Sequence, residues 1–292
     1  MKIKCIDQNS EFFPLKLKML EKCPKQIFVY GNEGVLSEFS LAVIGSRKCS
    51  ILGKAIAHDI GGELARNNIT IVSGLARGID TIAHNVCIEN KSKTIAVLGG
   101  GHGKIYPREN LDIIHRIVEN SGAVISEYPL EYPALPNNFR ERNRIIAALS
   151  DGIILIEAQK NSGSLITIKY GKKLNKKIFA VPGCLDNELY EGSNIVLCEG
   201  AYCIRNTNDI YEKYNNLTCL IKKAKKENYI IDENLKGVYS FLSYTPTNLE
   251  EICAKSAEPL NKVMSKLTLL EMAGVITRIE GQNFVKTRKR KV

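Results

Sequence analysis

The stretch TIVSGLARGIDTIAH, Thr70 to His84, joins a short apolar run to a turn bracketed by Gly74 and Gly78 and then to a helical segment. An uninterrupted apolar run, with no polar alternation, is what a strand buried on both faces looks like. The same unit recurs on either side. LAVIG begins at Leu41, TIAVLGG at Thr94, AVISE at Ala123, GIILIE at Gly152 and KIFAVPG at Lys177, with helix-like stretches between them. Strands alternating with helices predict an α/β protein with a Rossmann-like, doubly wound, mostly parallel sheet. Most runs end in Gly, Ser or Glu, which puts glycine-rich polar loops at the carboxyl edge, where such sheets hold their ligands.

Outward from this block, assigned to residues 41–215, the pattern changes at both ends. Residues 1–40 read as a short extension in which EFFPLKLKMLEKCPKQIFVYG supplies a helix and then a short strand. Residues 216–231 include LIKKAKKEN, lysine-rich and poor in apolar residues, and read as a linker. Beyond it LKGVYSFLS, TNLEEICAKS and EPLNKVMSKLTLLEMAG read as three helices, the third opening with Pro259 and stopping at Gly274. VITRIEGQNFVKT then alternates about Gly281-Gln282 as a hairpin. Three helices and a hairpin over residues 232–288 make a small C-terminal winged helix-turn-helix domain. Residues 289–292 form a basic tail.

A chain of 292 residues, 44% hydrophobic, has material for two folded units. Its net charge of +10 favours a polyanionic partner, although a lysine-rich composition produces the same balance. The nine cysteines are scattered, with no C-x-x-C pair and no Cys/His cluster at zinc spacing, and read as reduced packing residues of a cytoplasmic protein. No signal-peptide pattern or membrane-length apolar run is present, so no membrane association is expected.

Five segments carry candidate chemistry. Gly45-Ser46-Arg47 follows a strand: the glycine lets backbone approach a phosphate and Arg47 can grip it, or the segment is a tight turn with a solvated arginine. Asp80 and His84 lie four apart on one helix face. An acid/base pair is one reading, but with no nucleophile or metal set beside them the structural reading is preferred, Asp80 orienting its turn and His84 meeting a buried polar contact. Gly99-Gly100-Gly101 runs to Ile105-Tyr106-Pro107 with Lys104 available to a phosphate. In FRERNRIIAALS, Arg140, Arg142 and Arg144 crowd around Asn143 beside Phe139. Rings that stack bases and cations that follow the backbone are what unpaired strands need, though a phenylalanine here is equally a core residue. Asn161 to Thr167 opens a helix with donors converging as in an anion nest.

In their order, the Gly-Ser-Arg turn, SGLARGIDTIAH, the glycine loop ending in Tyr106-Pro107, FRERNRII, Ser162-Gly163-Ser164-Leu165-Ile166-Thr167 and Val181-Pro182-Gly183 resemble the DprA/Smf family from residue 41 to Ala201, and LTLLEMAGVI resembles the winged helix with which its members often end. The resemblance implies a dimeric protein that binds single-stranded DNA in a basic pocket, protects it and hands it to RecA during natural transformation or recombination, with no cofactor, metal or catalytic residue. It implies that Arg47 holds phosphate and Phe139 stacks a base, within a set comprising Gly45, Ser46, Arg47, Lys104, Phe139, Arg142, Asn143, Arg144, Lys160, Ser162, Gly163 and Ser164. Pro136, His102-Gly103 and Tyr190 depart from the family pattern, which shifts the expected weight onto Lys104 and Lys160.

Two rival readings fit less well. Nucleotide phosphoribohydrolases of related fold need a carboxylate at the head of a helix, and Asn161-Ser162-Gly163-Ser164 has no acid in the turn that follows. A winged-helix transcription factor needs a base-reading helix, and the third helix offers Lys262 and Lys266 but no arginine. The winged helix is expected to hold duplex DNA loosely or to dock a protein.

Overall fold

In a computed structural model of the chain, the structure describes residues 2–214, 232–279 and 281–286. The expected linker at 216–231 and tail at 289–292 lie outside the described residues. The first unit runs through β1 (Ile3–Asp7), β2 (Gln26–Gly31), β3 (Ser40–Ile44), α1 (Ile51–Arg66), β4 (Thr70–Ser73), α2 (Ile79–Glu89), β5 (Thr94–Val97), α3 (Leu111–Glu119), β6 (Ala123–Ser126), α4 (Pro136–Leu149), β7 (Gly152–Leu155), α5 (Ser164–Lys173), β8 (Lys177–Ala180), α6 (Glu191–Cys198), β9 (Tyr202–Cys203) and α7 (Asn208–Tyr211). All six apolar runs are strands.

Among the described residues nine strands form one sheet in the order β1-β2-β6-β5-β4-β3-β7-β8-β9. From β6 to β9 every pairing is parallel. The order reverses at β3, which lies between β4 and β7, so the loops after β3 and β7 flank the crevice where doubly wound sheets bind ligands. Alternate side chains of β3 explain why both faces must be covered. Ala42 and Ile44 pack into a core with Ile145, Ala148 and Leu149 of α4 and Ile168 of α5, while Leu41 and Val43 pack with Leu64 of α1 and Ile79 and Ala83 of α2. A third cluster joins Ala96 and Val124 to Ile113, Ile114 and Ile117 of α3.

The first 40 residues do not stand apart as an extension. β2 pairs antiparallel with β6, Val29 opposite Ile125, and β1 pairs antiparallel with β2. The expected helix shrinks to a 3-10 turn at Leu15–Met19, whose Leu17 is buried. β1 escapes a reading by apolar runs because it is an edge strand, with Ile6 its one buried side chain. The cysteines also need correction: Cys5, Cys184, Cys198 and Cys203 are exposed and, among the described residues, only Cys87 is buried.

The second unit contains α8 (Glu233–Phe241), β10 (Thr247–Asn248), α9 (Leu249–Ser256), α10 (Leu260–Met272), β11 (Ile276–Ile279) and β12 (Asn283–Lys286). It encloses its own core of Val238, Leu249, Ile252, Val263, Leu267, Leu270 and Phe284. The hairpin turns through Gly281 (φ 74°) and Gln282 (φ 60°), both left-handed, between the paired residues Ile279 and Asn283. β10 joins the far side of β12, completing the winged-helix arrangement. No described helix is long and apolar enough to cross a membrane.

Candidate nucleic-acid interface

The loops at the carboxyl ends of β3, β4 and β5 meet the first turn of α4. Arg47, on the loop after β3, is exposed, and its guanidinium carbon lies 5.6 Å from the centroid of the Phe139 ring. Phe139 is half-buried. Its inner side faces the Arg142 guanidinium at 6.0 Å, and Gly99 lets the ring lie against the glycine loop, since a Cβ there would come within 2.7 Å of it. Tyr106 meets the same ring edge to face, centroids 5.7 Å apart. Arg47, Ala76, Arg77, Tyr106, Pro107 and Phe139 line a small concavity open to solvent.

Of the sequence-predicted set, this concavity gathers Arg47 and Phe139. Arg77 and Tyr106 were missed, although both stand inside quoted motifs. An arginine between two loop glycines and a tyrosine before a proline carry no signal of their own that distinguishes a lining role from a solvated one.

Several expected residues hold the floor instead. Arg142 is buried. Its Nη1 donates to the carbonyls of Gly74 and Val97, and its Nε donates to Asn143 Oδ1 at 3.2 Å. Burial pulls its pKa down to about 10, opposed by the Asp80 carboxylate. Arg144 is also buried and clamps both oxygens of Glu127 at 2.6 Å. Neither guanidinium reaches the surface, which corrects their assignment to DNA: a buried arginine needs a protein partner, and both have one. Gly45 serves packing rather than an approaching phosphate, because a Cβ there would fall 2.6 Å from Ile79 Cγ1. Ser46 is largely buried, donating its N–H to Glu157 O at 2.8 Å while its hydroxyl accepts from Lys48 N at 3.1 Å.

The turn that opens α5 is held from α4. Asn143 Nδ2 donates to Gly163 O at 3.1 Å, and the hydroxyls of Ser162 and Ser164 bond to each other at 2.7 Å. Lys104 and Lys160 are exposed but face glutamates, Glu131 and Glu191, each at 3.2 Å. They do not line the concavity with Arg47.

Asp80 and His84 point to different tasks, as the structural reading expected. Asp80 accepts from the N–H groups of Gly74 at 3.1 Å and Ala76 at 3.4 Å, tying down the loop after β4. Burial raises its pKa, opposed by Arg142. The Thr94 hydroxyl donates to Ile71 O at 2.7 Å, so it accepts from His84 Nδ1–H at 2.8 Å, which makes Nδ1 the protonated ring nitrogen. Burial drops the His84 pKa to about 3. A neutral histidine turned into the sheet and a carboxylate holding a loop do not make a proton-transfer pair. Among the described residues no three His, Cys, Asp or Glu side chains cluster as metal ligands.

Residues 4–215 match the family described as DNA recombination-mediator protein A, and residues 230–282 match the DprA winged helix domain. Protein Smf of Escherichia coli is 32% identical over 290 residues, covering 97% of this chain and 77% of that protein. The X-ray structure of DNA processing protein A from Streptococcus pneumoniae superposes with a TM-score of 0.67 at 35% identity, over 73% of this chain and 75% of that one. DNA processing protein A from Helicobacter pylori, solved for its single-stranded DNA binding mode, superposes with a TM-score of 0.66 at 28% identity, over 73% and 95%. A sheet reversing at β3, an arginine and a ring converging at its carboxyl edge and a winged helix in sequence order therefore belong to a member of the DNA recombination-mediator protein A family, DprA/Smf.

Proposed function

We propose that this chain binds single-stranded DNA in the cleft between Arg47 and Phe139, protects the incoming strand and loads RecA onto it in natural transformation and recombination. It acts as a homodimer in the cytoplasm, with no catalytic step. The observation that carries the reading is the exposed Arg47 guanidinium poised over a half-open Phe139 ring at the ligand edge of the sheet. A base takes the ring while the guanidinium takes the adjacent phosphate, the division of labour by which unpaired strands are held without base reading. The single-stranded DNA binding mode described for the Helicobacter pylori relative supports single-strand binding by this chain.

A nucleotide-cleaving enzyme finds less support. The first turn of α5 carries no acidic residue, and the Asp80 carboxylate is spent on loop N–H groups. For the winged helix, docking a protein is favoured over reading duplex DNA. Residues 232–286 carry six lysines and arginines against seven aspartates and glutamates, a net charge of −1. On α10, Lys266 is held by Glu258 at 2.6 Å, and the Ser265 and Thr268 hydroxyls donate to carbonyls of their own helix. Such a face has little to offer phosphates or base edges.

The test is a gel-shift titration of the full chain with single strands and with the duplex of the same sequence, followed by RecA assembly on the bound strand. Tighter single-strand binding and faster RecA filament formation are expected. Equal affinity for both forms of DNA sinks the reading.

A further inference from the structure

The rim of the Phe139 cleft holds a second ring and a second guanidinium. Tyr106, on the loop after β5, is 50% exposed, and its ring plane stands 62° from that of Phe139. Arg77, on the turn after β4, lies over Tyr106 with its guanidinium carbon 5.9 Å from the ring centroid. This repeats the pairing of Arg47 over Phe139 at 5.6 Å. All four line one concavity with Ala76 and Pro107. The outer fork of Arg77 is filled by Glu109, Nε to Oε1 at 2.8 Å and Nη2 to Oε2 at 3.0 Å. A carboxylate and a phosphate offer a guanidinium the same two-oxygen geometry. Both partners here are exposed, so water screens the pair and a phosphate can displace the carboxylate at little cost.

We propose that Tyr106 and Arg77 form a second nucleotide station beside Arg47 and Phe139, with Glu109 as the stand-in acceptor that the second phosphate displaces. The proposal rests on reading the Arg47–Phe139 cleft as a single-strand site. It adds a selection rule. Bases lying on rings inclined by 62° are themselves inclined by a similar angle, whereas successive bases in a duplex or a stacked single strand are nearly parallel. The corner therefore favours strands whose bases splay apart easily. Weakly stacking thymine runs bind better than strongly stacking adenine runs, a preference set by backbone flexibility rather than hydrogen-bond readout.

The full chain is titrated by fluorescence anisotropy with labelled oligothymidylate and oligoadenylate over a range of salt. Tyr106→Leu is expected to weaken oligothymidylate binding about 5- to 150-fold with little change in salt slope, and to shrink the thymine-over-adenine preference. Tyr106→Phe keeps both. Arg77→Ala, at an exposed position, lowers the logarithmic salt slope by about 0.7. Glu109→Gln tightens binding, and the gain vanishes when Arg77→Ala is added. If Tyr106→Leu and Arg77→Ala bind as the parent does while Arg47→Ala and Phe139→Ala weaken, the second station is wrong and the first stands. If none of the four weakens, both fall. A Glu109→Gln chain that binds no tighter overturns the displacement role of Glu109.

Discussion

In the proposed single-strand cleft Arg47 and Phe139 would do separable work, and single substitutions distinguish it. On that proposal Arg47→Ala would remove one phosphate contact and is expected to lower the logarithmic salt slope of single-strand binding by about 0.7 at any sequence. Phe139→Ala removes a stacking surface, costing about 1–3 kcal/mol per base with the slope nearly unchanged. Anisotropy titrations at stepped salt read both quantities together, and similar slopes in the two variants would contradict this division. His84 carries a different prediction. Its native pKa of about 3 lies below its ordinary 6.5, so between these values the unfolded chain binds a proton that the native one refuses. Stability contributed by the neutral imidazole is complete above pH 6.5 and lost as pH falls toward 3, by up to about 1.4 kcal/mol per pH unit. His102, whose pKa burial also lowers, works in the same direction. Urea unfolding stepped downward from pH 7 should show the decline, and His84→Asn should flatten part of it.

Helix α4 is the element that builds the cleft. Phe139 and Arg142 lie three residues apart on one face of it, so the ring reaches the rim while the arginine passes beneath the loops after β4 and β5 and holds their carbonyls. The glycine loop after β5 is the matching surface. Gly99→Ala would drive a methyl group to within 2.7 Å of the Phe139 ring, forcing it from its seat. A loss of stability of about 1–3 kcal/mol is expected together with weaker single-strand binding. Gly163 is the control: a Cβ there meets nothing within 4 Å, so Gly163→Ala should unfold at the same urea concentration as the parent or slightly above it. Similar losses of urea stability in both variants would remove the steric argument. At this scale the six core strands were legible in the sequence because burial on both faces leaves a mark every residue shares. The edge strand β1 was not, since one buried side chain makes no pattern.

Across the whole molecule the charge of +10 is unevenly placed. Lys222, Lys223, Lys225 and Lys226, with Glu227, leave residues 215–231 at +3, and residues 287–292 add +4, so residues 2–214 hold only +4 and the winged helix is at −1. Net charge is thus a weaker pointer to the cleft than its total suggests; what the cleft holds is the guanidinium groups of Arg47 and Arg77. Deleting residues 232–286 while keeping the flanking basic segments should change single-strand affinity by no more than about two-fold, since a module of net charge −1 releases few counterions on binding. A larger loss in a gel-shift titration would give the winged helix a direct role on DNA. The succession of the six core strands and their helices, the glycine turns and the winged helix were determined by the sequence alone, because periodicity and turn chemistry act over neighbouring residues. Which cations face water was decided only in three dimensions. Arg47, Arg142 and Arg144 are alike as residues, but the seat of α4 against loops far away in sequence buries two of them on Gly74, Val97 and Glu127 and leaves Arg47 over the open ring.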